Sequence, residues 1–435
     1  MRHDGTRRGE LPRRVRPGRR RPRVRRAAGR HADVVPDVRR LRTGEGTRRV
    51  GTRPGAGPAP PSRTRPPPVR PGPDGADPGR GTLPGRPSGL PGERRGRGGA
   101  VRVNGDRPLI AVLGASGFIG SAISARLARL PVRLRTVGRG PLPPPVGAVA
   151  DVKPFRADLT RPGLIAESVA GADAVVYLLA HIAGPGGWRA QEGDTHAAEA
   201  NLGLMRDLVA ALRGARRPGP PPAVLFAGTV MQAGTVPDRR IDGTEQDRPV
   251  TPYPRQKLAA ERLLLEATAE GLLRSVSLRL PTVYGHVDAA PAGGGDKGVV
   301  ATMIRRALRG EALPLWGEGT VRRDLLHVDD VAAAFTAALG SVDRGEELAG
   351  RHWVLGSGRG ERLRDLFGAV ALAVAEHTGR PPVALKQVEP PDYAEPIDFC
   401  DIEVDSRAFR SATGWQPRVG LADGLRRTTA ALTRP

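Results

Sequence analysis

Residues 109–120, LIAVLGASGFIG, decide the fold of this chain. Five consecutive apolar residues, Leu109–Leu113, are typical of a strand that is buried on both faces of a parallel sheet. Glycines follow at positions 114, 117 and 120, and a helix with apolar residues at helical spacing comes next. Such a turn presents backbone N–H groups and the positive end of a helix dipole to a phosphate. The stretch therefore predicts a dinucleotide-binding turn.

Each glycine has its own role in this interpretation. Gly114 permits the tight turn out of the strand, Gly117 lets a pyrophosphate approach the backbone, and Gly120 lets the helix pack closely on the sheet. An ordinary strand-to-helix turn is the alternative, and the flanking strand and amphipathic helix argue against it. The residues expected to contact the cofactor here are Gly114, Ser116, Gly117, Phe118, Ile119 and Gly120.

Strands and helices alternate along the chain after this turn. Apolar or alternating segments predict strands at 132–137, 152–157, 174–180 and 223–227, and helical spacing predicts helices at 196–212 and 253–271. Alternation of this kind means parallel pairing with right-handed crossovers. The predicted fold class is therefore α/β, with a Rossmann-type doubly wound parallel sheet.

The end of the second strand bears on the choice of cofactor. An acidic residue there would accept a hydrogen bond from the adenosine 2′-hydroxyl, whereas an arginine suits a 2′-phosphate. Gly138 and Arg139 occupy this position, and no carboxylate does. We therefore expect NADP(H) rather than NAD(H). The alternative is that Arg139 is one of many surface arginines in an arginine-rich chain.

Tyr253 and Lys257 form the second chemical feature of the sequence. They are four residues apart at the start of a predicted helix, so both side chains project from one face. A nearby ammonium group favours the phenolate and lowers the pKa of a phenol, which makes the pair a general acid/base near neutral pH. Thr229 follows the fifth strand at the edge where ligands bind, and its hydroxyl can donate to a substrate carbonyl. The alternatives are a surface pair and a strand-end turn residue.

The charge of the chain is concentrated in its first hundred residues. That segment holds 27 arginines and 8 acidic residues, and it carries +19 of the net charge of +24. It has no sustained apolar period, so we expect residues 1–105 to be disordered. Two interpretations stay open, a nucleic-acid-binding arm and a translated stretch upstream of a true start near Val101 or Val103. The absence of stacking aromatics favours the second, and we do not expect nucleic acid as a partner.

Several classes of protein are excluded by composition. Residues 1–435 contain no apolar run of the roughly 20 residues that would span a bilayer, and no secretory signal at the N-terminus. The single cysteine, Cys400, rules out an internal disulfide framework and a cysteine-rich metal site, and we expect no metal. The sequence thus favours a cytoplasmic enzyme without a membrane partner.

These features together resemble the extended short-chain dehydrogenase/reductase family, the sugar-nucleotide epimerase/dehydratase group. The narrower resemblance is to the NDP-4-keto-6-deoxyhexose 4-ketoreductases of actinomycete deoxysugar pathways. The matching segments are GASGFIG (114–120), DL (158–159), LLAHIA (178–183), FAGT (226–229), YPRQK (253–257), RLPTVYG (279–285) and RRDLLHVDDVA (322–332), with AHIAGPGGWR (180–189) and DGTEQDRPVTPY (242–253) carrying the narrower match.

The resemblance implies roles for particular residues. Thr229, Tyr253 and Lys257 would form the catalytic triad, with Lys257 also binding the nicotinamide ribose. The further cofactor contacts that it implies are Asp158, Leu159, Leu179, Ala180, His181 and Pro281. Arg323 would hold the substrate diphosphate, with an ion pair to Asp324 as the alternative; Lys297 would also touch the nucleotide, and Asn201 would support the active site. The resemblance further implies a nucleotide-sugar substrate and a homodimer through helices 196–212 and 253–271.

Departures from the family pattern help to choose the reaction. The dehydratases of the family have an Asp-Glu pair after the hydroxyl residue, whereas Val230 and Met231 follow Thr229 here, so 4,6-dehydration is not expected. Exchangeable NADPH fits net reduction of a C4 ketone in a TDP-linked 4-keto-6-deoxyhexose. The alternatives are a sugar-nucleotide C4 epimerase and a non-catalytic NADP-sensing regulator.

The C-terminal part has looser patterning. We expect residues 106–285 to form the NADP-binding domain and residues 286–435 mainly a smaller substrate-binding α/β lobe. Helices are predicted at 299–308, 329–339, 363–376 and 422–432, and a strand at 312–316. Aspartates at the start of the second of these helices are expected to cap it.

Overall fold

The structure is a computed structural model, and it describes residues 107–140, 144, 147–181, 193–215, 219–235, 240–287, 298–342 and 348–434. All of these residues belong to one compact unit. The first segment, residues 1–105, and Lys297 lie outside the described residues, so the predictions made for them stay predictions.

The strands of the described residues are β1 (Leu109–Leu113), β2 (Arg133–Gly138), β3 (Asp151–Arg156), β4 (Ala174–Tyr177), β5 (Ala223–Thr229), β6 (Arg274–Leu280), β7 (Thr282–Tyr284), β8 (Leu313–Trp316), β9 (Arg322–His327), β10 (Arg351–Val354), β11 (Gly360–Arg362) and β12 (Leu385–Val388). The helices are α1 (Phe118–Leu127), α2 (Leu164–Val169), α3 (Thr195–Ala198), α4 (Leu204–Gly214), α5 (Pro252–Ala269), α6 (Val299–Leu308), α7 (Val328–Val342), α8 (Leu363–Thr378), α9 (Arg407–Thr413) and α10 (Leu421–Leu432).

The main sheet has seven parallel strands in the order β3-β2-β1-β4-β5-β6-β10. Apolar residues of β1 are buried on both faces, as the sequence predicts for a central parallel strand. One face of the sheet packs against α1 and α7, and the other against α2, α4 and α5. The predicted α/β class and the Rossmann-type doubly wound sheet are therefore confirmed.

Strand order reverses between β2 and β4, which both pair with β1. Ligands of such sheets bind in the crevice at the carboxyl ends of the strands at this reversal. The strand predicted at 174–180 ends at Tyr177, so residues 178–181 lie beyond the ladder at this crevice. The prediction was too long because continuous apolar sequence does not show where a strand leaves the sheet.

The helix predicted at 196–212 is not one regular helix. It consists of α3, a π-helical segment at Glu199–Gly203, and α4. A π-helical turn inserts one extra residue per turn and is frequent at functional sites. Apolar spacing predicts a helix here but cannot reveal this local change of winding.

The C-terminal part contributes to the main sheet and its helices and also forms a smaller lobe. A three-stranded sheet (β11-β9-β7) and a two-stranded sheet (β12-β8) lie there, and α6, α8 and α10 enclose a separate apolar core. The helix predicted at 299–308 is confirmed as α6. However, α7 packs on α1 and β10 completes the main sheet. The domain boundary expected at residue 286 stays a prediction. Two elements beyond it, α7 and β10, belong with the main sheet and its helices.

The aspartates predicted to cap α7, Asp329 and Asp330, lie inside its first turn, so neither occupies the N-cap position. This helix begins at Val328, directly after β9. Asp330 is buried, and its carboxylate accepts hydrogen bonds from the backbone N–H groups of Arg418 and Val419 at 2.9 and 3.0 Å. It therefore anchors the chain that leads into α10 instead of satisfying the start of its own helix.

None of the helices in the described ranges is both long enough and apolar enough to cross a membrane.

Candidate active site

The glycine turn has the geometry that a pyrophosphate requires. Gly114 adopts a φ of +90°, which glycine tolerates and other residues rarely do. A Cβ on Gly120 would collide with the carbonyl group of Gly114, and a Cβ on Gly117 would lie 3.2 Å from the same oxygen. Gly117 precedes α1 without a side-chain cap, so the first N–H groups of α1 are left to a ligand. The turn thus fits the pyrophosphate of a dinucleotide.

Residues predicted to contact the cofactor surround the crevice on neighbouring strands. Leu179, Ala180 and His181 follow β4, and Pro281 follows β6. Asp158 and Leu159 follow β3, and Arg139 follows β2 with its side chain exposed. The sheet thus brings these residues to one edge, although their cofactor contacts stay predictions.

Tyr253 and Lys257 stand one turn apart at the start of α5. Lys257 is 2% exposed, and its Nζ donates to the carbonyl oxygens of Ala227 at 2.9 Å and Leu179 at 3.4 Å. The same Nζ lies 5.8 Å from the centre of the Tyr253 ring. The lysine therefore connects the acid/base helix to the ends of β4 and β5.

Burial sets the protonation of this pair. It raises the pKa of Tyr253 above the ordinary value of a phenol, and it lowers the pKa of Lys257 to about 7. The prediction that Lys257 holds the pKa of Tyr253 down is wrong for this structure, because desolvation of the phenolate outweighs the attraction of a partly neutral amine. Tyr253 is therefore a protonated phenol at neutral pH, which is the form that donates a proton.

Thr229 ends β5 and caps the short 3₁₀ turn Val230–Ala233. Its Oγ1 accepts a hydrogen bond from Met231 N at 3.3 Å, while Gln232 Oε1 accepts from Thr229 N at 2.9 Å. Because the oxygen already accepts a bond, its own proton is available to donate elsewhere. The turn-residue alternative thus describes the contacts of Thr229, and its donation to a substrate carbonyl stays a prediction. Gln232, which sequence reasoning missed, fixes the backbone of this donor.

A hydrogen-bond network around Asn201 joins α5 to the crevice. Asn201, on the π-helical segment, is 1% exposed. Its Oδ1 accepts from His181 N at 2.7 Å, and its Nδ2 donates to His181 O at 3.0 Å and to Gln256 Oε1 at 2.7 Å. The supporting role predicted for Asn201 has a geometric basis in these bonds. Reasoning from the sequence missed Gln256, and its position next to Lys257 was the one signal that could have indicated it.

A buried charged cluster lies behind α5, and sequence reasoning did not single it out. Arg279 on β6 makes two hydrogen bonds to Asp247, at 2.6 and 2.9 Å, and two to Glu261 on α5. Ser277 donates to the same Glu261 carboxylate. The cluster fixes the segment before α5 against β6, because each carboxylate is held by the same planar guanidinium.

Arg323 does not form the ion pair with Asp324 that was the alternative to substrate binding. Its guanidinium donates to the carbonyl oxygens of Asp398 and Cys400, and it is largely buried. Asp324 instead accepts hydrogen bonds from the backbone N–H groups of Ser357, Gly358 and Val404. Arg323 thus fixes the 398–400 segment, and its contact with a substrate diphosphate stays a prediction.

The predictions about metal and about a dimer stay predictions. Within the ranges that the structure covers, no group of three or more histidine, cysteine or acidic residues could hold a metal ion. The homodimer stays a prediction, since one chain is described.

Comparison with known proteins agrees with this geometry. The model of the NAD dependent epimerase/dehydratase family matches residues 110–356, which is more than half of the chain. The UDP-glucose 4-epimerase of Mycolicibacterium smegmatis is 32% identical over 136 residues, which cover 31% of this chain but only 38% of that protein. The dTDP-6-deoxy-L-talose 4-dehydrogenase (NAD(P)(+)) of Kitasatospora kifunensis is 29% identical over 335 residues, 75% of this chain and 96% of that one.

Solved structures also resemble this fold. MoeE5 in complex with UDP-glucose and NAD is 26% identical, with a TM-score of 0.60 over 75% of this chain and 98% of that chain. The glycine turn, the crevice at the strand reversal and the Tyr253–Lys257 helix all lie within the span that the family model matches. The chain is therefore an enzyme of the NAD dependent epimerase/dehydratase family, with a site for a nicotinamide dinucleotide.

Proposed function

We propose that this protein uses NADPH to reduce the C4 ketone of an NDP-4-keto-6-deoxyhexose, with TDP as the nucleotide. The bound cofactor supplies the hydride. Tyr253 donates a proton to the oxygen at C4, Lys257 holds the ribose and supports the tyrosine, and Thr229 donates a hydrogen bond to the carbonyl. The sugar nucleotide binds between the cofactor-binding layer and the C-terminal lobe.

The placement of Tyr253 and Lys257 at the start of α5, with Lys257 Nζ bonded to Ala227 and Leu179 at the edge of the crevice, is the observation that carries this proposal. Reduction of a ketone needs a proton donor, whereas oxidation of an alcohol needs a base. Desolvation raises the pKa of the Tyr253 phenol, so it keeps its proton at neutral pH and can act as the acid. This supports reduction, and the net consumption of cofactor separates reduction from epimerisation.

The residues after Thr229 support the same choice. Elimination of water across C5 and C6 needs an acid/base pair next to the ketone. Val230 and Met231 follow Thr229 and cannot move a proton, and Gln232 is occupied with the Thr229 backbone. The residues after Thr229 thus provide no acid/base pair for dehydration, whereas Tyr253 can donate the proton that reduction needs.

The substrate class is proposed from the resemblance and from one relative. The K. kifunensis enzyme, which matches nearly its whole length, is named for a reaction at carbon 4 of a dTDP-6-deoxyhexose and for use of NAD(P)(+). We propose NADP(H) over NAD(H) because β2 ends at Gly138 and is followed by Arg139 instead of a carboxylate.

The second candidate is a sugar-nucleotide C4 epimerase. The M. smegmatis UDP-glucose 4-epimerase favours this candidate, because its identity to this chain, 32%, is higher than the 29% of the K. kifunensis enzyme. The M. smegmatis match covers only 31% of this chain. An epimerase oxidises and then reduces the same carbon, so it shows no net consumption of cofactor.

Turnover with a panel of TDP-4-keto-6-deoxysugars tests the proposal. We expect one NADPH oxidised, followed at 340 nm, for each sugar nucleotide reduced at C4, with NADH a poorer donor. Conversion of a UDP- or TDP-hexose to its C4 epimer without net NADPH loss would support the epimerase instead. NADPH binding without turnover of either class would support a non-catalytic NADP sensor.

Tyr253→Phe is the matched test of the acid. It removes the phenol hydroxyl and keeps the ring, so we expect turnover to fall by about 100-fold or more while NADPH affinity changes less than about threefold. The measurement is steady-state NADPH oxidation beside a fluorescence titration of NADPH. Wild-type turnover in this variant would contradict the role of Tyr253.

A further inference from the structure

Arg156 lies at the crevice, at the end of the strand beside β2. It is the last residue of β3 and pairs in register with Gly138, the last residue of β2. Its Nε donates to the carbonyl oxygen of Arg139 at 3.0 Å. The guanidinium of Arg156 is therefore held against the backbone of Arg139, the residue proposed to select NADP(H).

The end of β2 also lies close to the glycine turn. A Cβ on Gly138 would lie 2.6 Å from Ser116 Oγ and 3.2 Å from Ser116 Cβ, so no side chain fits between them. Ser116 belongs to the turn that faces the pyrophosphate. Ser116 in the turn, Arg139 directly after β2 and Arg156 at the end of β3 are thus neighbours at one corner of the crevice.

Guanidinium groups outnumber carboxylates in this corner of the crevice. Asp158 accepts two hydrogen bonds from Thr160, at 2.8 Å from Oγ1 and 3.2 Å from N, and these bonds, followed by the smaller attraction of Arg139 and Arg161, lower the pKa of its carboxyl group. Within the described ranges neither Arg139 nor Arg156 forms an ion pair with a carboxylate, and both side chains are exposed. Two guanidinium groups beside a hydroxyl donor are suited to a phosphate dianion.

We propose that Arg156 is a second determinant of cofactor specificity, which binds the 2′-phosphate of NADP(H) together with Arg139 and Ser116. The proposal rests on the NADP(H) preference proposed above and names the residues that would produce it. A guanidinium fork can donate two hydrogen bonds to one phosphate, and its position here is fixed in advance by the bond to Arg139.

Binding of 2′,5′-ADP and 5′-AMP to the full chain tests the proposal without a sugar substrate. The two probes differ only by the 2′-phosphate. We expect Arg156→Gln to weaken 2′,5′-ADP at least about tenfold in calorimetric titration and to leave 5′-AMP within about twofold of wild type. Lys153→Gln is the matched control: it removes one positive charge from the same strand, about 10 Å away, at an exposed position.

Each outcome decides a different point. Wild-type affinity for 2′,5′-ADP in Arg156→Gln would overturn the role of Arg156 but leave the NADP(H) preference standing. Equal losses in Arg156→Gln and Lys153→Gln would also overturn it, because the effect would then be one of overall charge. If wild-type protein binds 2′,5′-ADP no more tightly than 5′-AMP, the NADP(H) preference and the present proposal both fail, while ketone reduction with NADH stays testable.

Discussion

The phenol of Tyr253 and the amine of Lys257 are one helical turn apart, yet burial moves their pKa values in opposite directions. Desolvation disfavours the charged form of each group, which is the phenolate for tyrosine and the ammonium for lysine. The result is a protonated acid beside a lysine that is only partly charged. At the residue scale, the environment therefore sets the protonation of the two groups, and spacing alone does not.

Lys257→Met tests the cost of this burial. The pKa of Lys257 is about 7 in the folded chain and about 10.4 in an unfolded one. The unfolded chain thus binds more protons between these values, and the stability of wild-type protein should rise with pH across that window. We expect the variant to melt at least about 2 °C above wild type at pH 7, with the difference fading by pH 10.

Thermal unfolding at pH 7 and pH 10 provides the measurement. Lys386→Met is the control, because Lys386 is exposed on β12 and its ammonium stays in water. It should show no pH-dependent gain. A Lys257→Met advantage that is equally large at both pH values would contradict the buried-charge argument.

At the element scale, α5 fixes the crevice by two routes. Lys257 donates to the carbonyl oxygen of Leu179, and Gln256 holds Asn201, which in turn binds both the N–H and the C=O of His181. Beyond the hydrogen bond from Leu178 N to Leu113 O of β1, the segment that follows β4 is thereby held by side chains of α5 and of the π-helical segment. The π-helical turn matters here because it places Asn201 where it reaches both α5 and this segment.

Gln256→Ala should therefore weaken cofactor binding more than it slows chemistry. The loss of one half-buried hydrogen-bond acceptor corresponds to roughly 0.5–1.5 kcal/mol, so we expect the KM for NADPH to rise about 2- to 10-fold with kcat within about twofold. Gln256→Glu keeps an acceptor for Asn201 Nδ2 and should recover the wild-type KM. A fall in kcat at constant KM would instead place Gln256 in the chemical step.

At the scale of the whole molecule, a few buried polar groups connect distant parts of the chain. Arg279 joins β6, α5 and the segment around Asp247, and Asp330 joins α7 to residues 418–419. These groups hold the helix that carries Tyr253 and the lobe proposed to bind the sugar. The alignment of the two sides of the site thus depends on residues that touch neither ligand.

Arg279→Met should be strongly destabilising. It leaves the carboxylates of Glu261 and Asp247 without their partner, and breaking a buried pair costs about 3–5 kcal/mol. We expect the melting midpoint to fall by about 6 °C or more. Arg213→Met, which breaks an exposed pair with Glu270, is the control and should shift the midpoint by no more than about 2 °C. Equal shifts in the two variants would contradict the role of burial.

The sequence by itself determined the cofactor fold. Residues 109–120 predicted β1, the glycine turn and α1 because their signals are local: a short apolar run, three glycines and helical spacing. The i, i+4 spacing likewise placed Tyr253 and Lys257 on one helical face. It could not show that burial, and not Lys257, dominates the pKa of Tyr253, since burial depends on what packs around the helix.

The tertiary structure alone decided which polar groups meet. Arg156 reaches Arg139 only because β3 lies beside β2, and Gln256 reaches Asn201 only because α5 packs against the π-helical segment. Asp330, which sequence placed as a helix cap, instead holds a segment far along the chain. Such contacts join residues separated by 17 to 89 positions, and no local pattern of side chains records which of them will be neighbours.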